Sequence, residues 1–352
     1  MNTKKVLYSR KRFWAGILLA QFLLFYILSG FDFFIRIFTQ FFEFKKYWHQ
    51  TFAEILPFSI GDILYILLGF LIIFFLFKVF KKKYRQSFFL KSLILLNIFY
   101  FIYQLFWGML YFERPILEKL PEEEITLDET KLLALRYLEK CRQSRKLVAE
   151  DPDGVFKISN LKEVKTEIIS RQHHLPQSIN SKNASGIDAF KPSLFRGIMS
   201  YTGILGYYNP FTAEAQYNSE LPATYLPATL AHESAHQLGY AREEEASFIG
   251  YLMGKDSEKA AVKYSTEYYV LKSLLAALVE NNPDFVDDVI TQYSPGMQRD
   301  RQAEKNFVKN HQGFLKTFFG FTNDLFLKSN RQQGSITYSY FVDLLVRYER
   351  TN

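Results

Sequence analysis

Three long stretches of the chain carry no charged residue: 14–31, 63–77 and 92–112. The first and third are long enough to cross a bilayer, and the second becomes so if Asp62 and Lys78 sit at its interfaces. The third closes on Trp107, Tyr111 and Phe112, aromatic residues suited to a membrane surface. Beyond residue 112 the pattern changes. Glu113 to Leu117 leads out, and Pro121 with Glu122 to Glu124 marks a short linker. From Asp128, read as an N-cap, Leu132, Leu133, Leu135, Leu138 and Cys141 follow a helical period. Asp151-Pro-Asp-Gly predicts a turn and residues 161–173 a further helix. Residues 193–201 and 213–217 have strand-like composition around a Gly- and Pro-containing loop. Helical patterns then cover 243–253, 258–280, 284–293 and 297–327, and after a turn at 332–334 a last helix spans 338–347.

Charge orients this pattern. Residues 1–13 hold five basic groups and no acid, and the segment between the second and third apolar runs holds Lys78, Lys81, Lys82, Lys83, Arg85 and Lys91. Between the first and second runs, Arg36, Lys45 and Lys46 face four acids. The basic segments belong on the cytoplasmic side, which puts the N-terminus inside and everything after the third span outside. The net charge of +7 is concentrated in these loops, leaving residues 113–352 near −3. A basic protein of this kind is not a nucleic-acid binder, and no nucleic-acid motif is present. Cys141 is the only cysteine, which excludes an intramolecular disulfide and a cysteine-based zinc site.

The chemistry lies in His232-Glu233-Ser234-Ala235-His236, the His-Glu-x-x-His pattern of zinc hydrolases. On a helix, residues four apart share a face, so His232 and His236 can hold one ion, with Glu233 placed to take a proton from water. Pro227 suits the first turn of that helix and Gly239 its end. A catalytic zinc site takes three protein ligands and keeps one position open. Glu243, Glu244 and Glu245 follow at once. A glutamate opening a second, antiparallel helix resembles the gluzincin peptidases, and this makes Glu243 the third ligand. Ser247 then stands where such enzymes hold a histidine ligand by a hydrogen bond. The metzincin alternative would need a ligand at position 242, and Arg242 cannot bind zinc. The adjacent His173 and His174 point in different directions on a helix and read as solvated. Glu214 reads as a structural carboxylate with a smaller prospect of facing the cleft. Tyr240, His311 and Tyr338 are candidates for stabilising an oxyanion, and the sequence does not choose among them.

Several further features, Trp107-Gly108, Arg114-Pro115, Gly206-Tyr-Tyr-x-Pro-Phe-Thr212-x-Glu-Ala215, His-Glu-x-Ala-His-Gln-x-Gly239 and Glu-x-Glu-Ala246, run along nearly the whole chain. In these the chain resembles the bacterial membrane proteins grouped as domain-of-unknown-function family 3810. The resemblance implies three spans and a zincin-like site, and adds little about substrate.

The expectation is therefore a helical anchor of three spans (1–112) and an extracytoplasmic, mainly α, α+β zincin-like domain (113–352) with a small sheet before the metal-binding helix. It would sit in a bacterial inner membrane as a zinc metallopeptidase, with Zn²⁺ on His232, His236 and Glu243, Glu233 as the base, and the bilayer and a peptide or protein substrate as partners. A zinc-stabilised sensor or scaffold, or a cell-wall amidase, is the alternative.

Overall fold

The computed structural model describes residues 10–313 and 337–351, and it is mostly helical. Three helices, α1 (Lys11–Leu28), α3 (Ile60–Phe80) and α4 (Arg85–Phe106), are long and apolar enough to cross a membrane. α1 and α3 both pack against α4. Their outward faces carry exposed side chains such as Leu23, Phe70, Ile73 and Ile98. The third span ends six residues earlier than the uncharged run suggests. Trp107 leaves helical geometry, and Gly108–Phe112 form a 3-10 turn whose Met109, Leu110 and Tyr111 are buried. Absence of charge suits lipid and protein interior equally, and these residues lie in the latter.

Residues 31–62, read above only as a charged connection, contain α2 (Asp32–Ile55). Its amphipathy is inverted: Lys45, Lys46 and Gln50 are buried, while Phe44, Tyr47, Trp48 and Phe52 are exposed. The buried polar groups have partners. Lys45 donates to the Pro210 carbonyl at 2.8 Å, Lys46 to those of Asn183 and Leu238, and Gln50 to that of Gln237.

The rest is built on α5 (Leu127–Arg145), α6 (Leu161–Arg171), α7 (Arg196–Thr202), α8 (Leu226–Leu238), α9 (Glu243–Gly254), α10 (Ala260–Leu278), α11 (Pro283–Thr291), α12 (Pro295–Asn310) and α13 (Thr337–Arg350). Thr126, not Asp128, caps α5, in a reciprocal capping box with Glu129. Leu133, Leu138 and Cys141 of α5 join Leu230 and Ala235 of α8, Phe248 of α9, Leu271 and Leu274 of α10, and Leu345 of α13 in one core. The predicted continuation of α12 beyond 313 and the turn at 332–334 lie outside the described residues.

A three-stranded sheet precedes α8. Its order is β1 (Phe190–Pro192), β3 (Glu214–Tyr217), β2 (Gly206–Asn209), with β1 parallel and β2 antiparallel to β3. Residues 196–202 are helical rather than extended, and Gly203 ends α7 with φ 80°. Strand-like composition misleads there because Leu194, Ile198 and Tyr201 are exposed rather than part of a sheet face.

Candidate metal centre

α8 carries Pro227 in its first turn, where a missing N–H costs nothing, and stops at Gly239, whose φ of 109° suits glycine. Gly250 of α9 lets the two helices meet closely. A Cβ there would lie 3.0 Å from the backbone nitrogen of His232. α9 begins at Glu243, so its first carboxylate returns toward the histidines.

The structure brings His232, His236 and Glu243 together: one ligand atom from each lies within 4.8 Å of the others. Glu243 Oε2 is 3.1 Å from His232 Nε2, and Oε1 is 3.6 Å from His236 Nε2. The other ring nitrogens are engaged. His232 Nδ1 meets the Ser247 hydroxyl at 3.1 Å and His236 Nδ1 meets the Tyr240 carbonyl at 2.6 Å. A carbonyl only accepts, so His236 Nδ1 carries a proton, and Nε2 is the ring atom turned toward Glu243, the one that would bind a cation once it gives up its own proton. Two imidazoles and one carboxylate, converging and oriented from behind, form a donor set that fits zinc.

Charge within the cluster follows from burial and proximity. Burial lowers His232. It would also lower His236, but Glu243's charge and hydrogen bond override it and raise that imidazole to about 9. Glu243, despite a burial that works the other way, is held well below the usual carboxylate range by His236 and His232. Glu233 is buried 3 % exposed beside them, and burial pushes its carboxyl up to about 8. Its Oε2 has no hydrogen-bond partner. Gly206 of β2 passes so close that a Cβ would sit 2.7 Å from Glu233 Oε1.

A cavity of about 720 Å³ opens onto His232, Glu233, His236 and Glu243. Tyr208 lines it from β2, its ring 6.4 Å from that of His236, and its buried hydroxyl has no partner. Residue-by-residue reading passed over Tyr208. The usable signal was strand alternation, which puts Gly206 and Tyr208 on one face of β2 and Tyr207 on the other.

Of the remaining candidates among the described residues, only Glu244 shares the cavity. Glu245 accepts from the Ile116 N–H and is pushed up to about 7 by burial. Glu244 lines the cavity, with Oε2 unpartnered. Glu214 accepts from the N–H groups of Ile60 and Gly61 at 2.9 and 2.6 Å and is structural. The Tyr240 hydroxyl donates to Asn180, His311 stacks near Phe307 and Tyr201, and His174 bonds the Ser170 carbonyl. The side chain of Tyr338 lies outside the described residues.

The pattern of one protein family, described as a protein of unknown function (DUF3810), matches residues 38–346. The match takes in most of the chain, from α2 to α13, and the protein belongs to that family. No curated protein and no solved structure matches it.

Proposed function

We propose that this family member is a membrane-anchored zinc peptidase that hydrolyses peptide bonds outside the cytoplasm. The observation that carries the reading is the convergence of His232, His236 and Glu243 beside a buried, unpartnered Glu233 oxygen at the foot of an open cavity. A site that merely tied α8 to α9 would have no use for such a cavity or for a carboxyl poised to exchange a proton.

His232, His236 and Glu243 would hold the ion, which when bound supplies Lewis acidity to a carbonyl and acidifies water. Glu233 is the group that takes the proton from the attacking water and passes it to the leaving amine. Its raised affinity for protons in this buried setting suits a base working near neutral pH. Among the described residues β2 is an edge strand of the sheet beside these residues, placed to take an extended peptide by strand addition. Gly206 leaves room beside Glu233. Tyr208 offers a phenol hydroxyl on the cavity wall near His236 for negative charge developing on the carbonyl oxygen.

Metal analysis of the full chain, purified in detergent, tests this. About one zinc per chain is expected in the wild type, with loss in His236→Ala and Glu243→Ala. Glu233→Gln should keep the metal and lose peptide hydrolysis by roughly 10³-fold. A folded wild type without zinc refutes the reading. Metal bound with no hydrolysis by wild type leaves a zinc-stabilised scaffold, and hydrolysis intact in Glu233→Gln removes Glu233 as the base.

A further inference from the structure

The cavity above the metal ligands is lined in part by the candidate membrane spans themselves. Tyr65 belongs to α3, Tyr103 to the last turn of α4, and Trp107 is the residue directly after α4. Trp107's ring lies 5.8 Å from that of His236, so one side chain separates a metal ligand from the end of a span. Tyr65 is the sixth residue of α3, which at 1.5 Å per residue puts it roughly 7–8 Å inside the helix start. Tyr65 also touches Tyr207 of β2, ring centroids 6.3 Å apart.

The attachment is rigid. Glu214 of β3 accepts from the first two N–H groups of α3. Asp62 of α3 accepts from the Tyr207 hydroxyl, from Ser193 Oγ at 3.1 Å and from the Leu194 N–H at 2.7 Å. The sheet over the metal ligands is thus bolted to the end of a span. On the same side, exposed apolar residues continue from the cavity: Leu205 lines it, and Ile198 and Tyr201 of the adjoining α7 are open to the surroundings. α2 joins the ends of α1 and α3 and turns Phe44, Tyr47, Trp48 and Phe52 outward, the composition of a helix lying in a membrane interface.

We propose that the substrate is a membrane-anchored polypeptide, bound in its first few residues outside the bilayer, with an apolar or aromatic side chain seated against Tyr65, Tyr103 and Trp107. This inference rests on the peptidase reading for the cut itself, though not for the binding. A cleft lined in part by the ends of two candidate spans would open beside the membrane surface. A soluble peptide would have to reach it past the bilayer surface, whereas an anchored chain is held there at high local concentration. With a ligand ring within roughly 10 Å of the end of α4, an extended chain at 3.3–3.6 Å per residue spans that distance in about three residues. The apolar wall accounts for the preference in side chain, since seating one large apolar group there removes its surface from water.

The test places the full chain in phosphatidylcholine vesicles with a probe of one transmembrane helix followed by a 40-residue unstructured tail containing evenly spaced Phe and Leu. The tail alone is the soluble comparison. Wild type should cut the anchored probe within about six residues of the membrane and the free tail at least ten-fold more slowly, with sites mapped by mass spectrometry. In parallel, Glu233→Gln carrying benzoylphenylalanine in place of Tyr65 should photo-cross-link to those same membrane-proximal residues, while the photoprobe in place of exposed Leu132 should not. Cuts spread along the tail, or equal cutting of the free tail, overturn the substrate class and leave the peptidase standing. Cross-links to lipid alone also overturn it. Membrane-proximal cross-links with no cutting by wild type uphold the binding site and remove the peptidase.

Discussion

Ser247 sits one helical turn beyond Glu243 and holds His232 Nδ1 at 3.1 Å, while His236 is held by a main-chain carbonyl. The two histidines therefore differ in how a substitution can reach them. Ser247→Ala removes this side-chain support, and zinc affinity, measured by competition with a chelator, should fall 10–100-fold with the fold intact. At Tyr208 the effect should appear in rate instead. Tyr208→Phe should lower kcat by about 10²-fold with little change in KM or metal content. The convergence of His232, His236 and Glu243 was legible in the sequence because a single helix fixes the spacing of the two histidines, and the helix that Glu243 opens brings in the carboxylate. Tyr208 was not, because its approach to His236 depends on how a strand of four residues is laid over α8. No local rule specifies that register.

α5 could be read from its periodicity, and α8 from its histidine spacing with Pro227 and Gly239 at its ends. α2 could not. Reading outward polarity as exposure fails for a helix that buries Lys45, Lys46 and Gln50 against carbonyls and turns its aromatic residues out. α7 failed for a related reason, since its apolar residues are exposed. α2 also makes a prediction of its own. Burial lowers the Lys45 ammonium from its usual 10.5 to about 7. An unfolded chain keeps that proton up to the usual value, so the charge opposes folding below about pH 7, and stability is gained as pH rises from 7 toward 10.5. Thermal unfolding of the full chain in detergent should therefore shift upward over pH 7–9. Lys45→Met should flatten that rise, the difference growing by at most about 1 kcal/mol per pH unit.

At the scale of the molecule, the described structure joins the apolar helices to the helical domain through buried polar contacts rather than through a loose tether. The linker at 121–124 suggested a separable domain, because composition records where a chain is polar and not what its carbonyls bond to. A fragment of residues 113–352 would leave Glu214 buried without the Ile60 and Gly61 N–H groups. It would also strip the end of α8 of Lys46 and Gln50, and uncover Ala241 where Phe42 and Trp107 pack. Hydrogen bonds to charged groups contribute about 1.5–3 kcal/mol each, and a domain has about 5–15 kcal/mol in all. The fragment should aggregate or lack a cooperative melt by circular dichroism. A soluble fragment with a sharp transition would contradict the interlock.

The hold of Glu214 on the first turn of α3 also sets an order of events during synthesis. Glu214 follows Ile60 by 154 residues. At 5–20 residues per second, α3 has been made roughly 8–30 seconds before the carboxylate that completes its N-terminus exists. For that interval the helix waits with two bare N–H groups, and the membrane hairpin reaches its final form only when the strands close onto it. A later part of the chain finishes an earlier one.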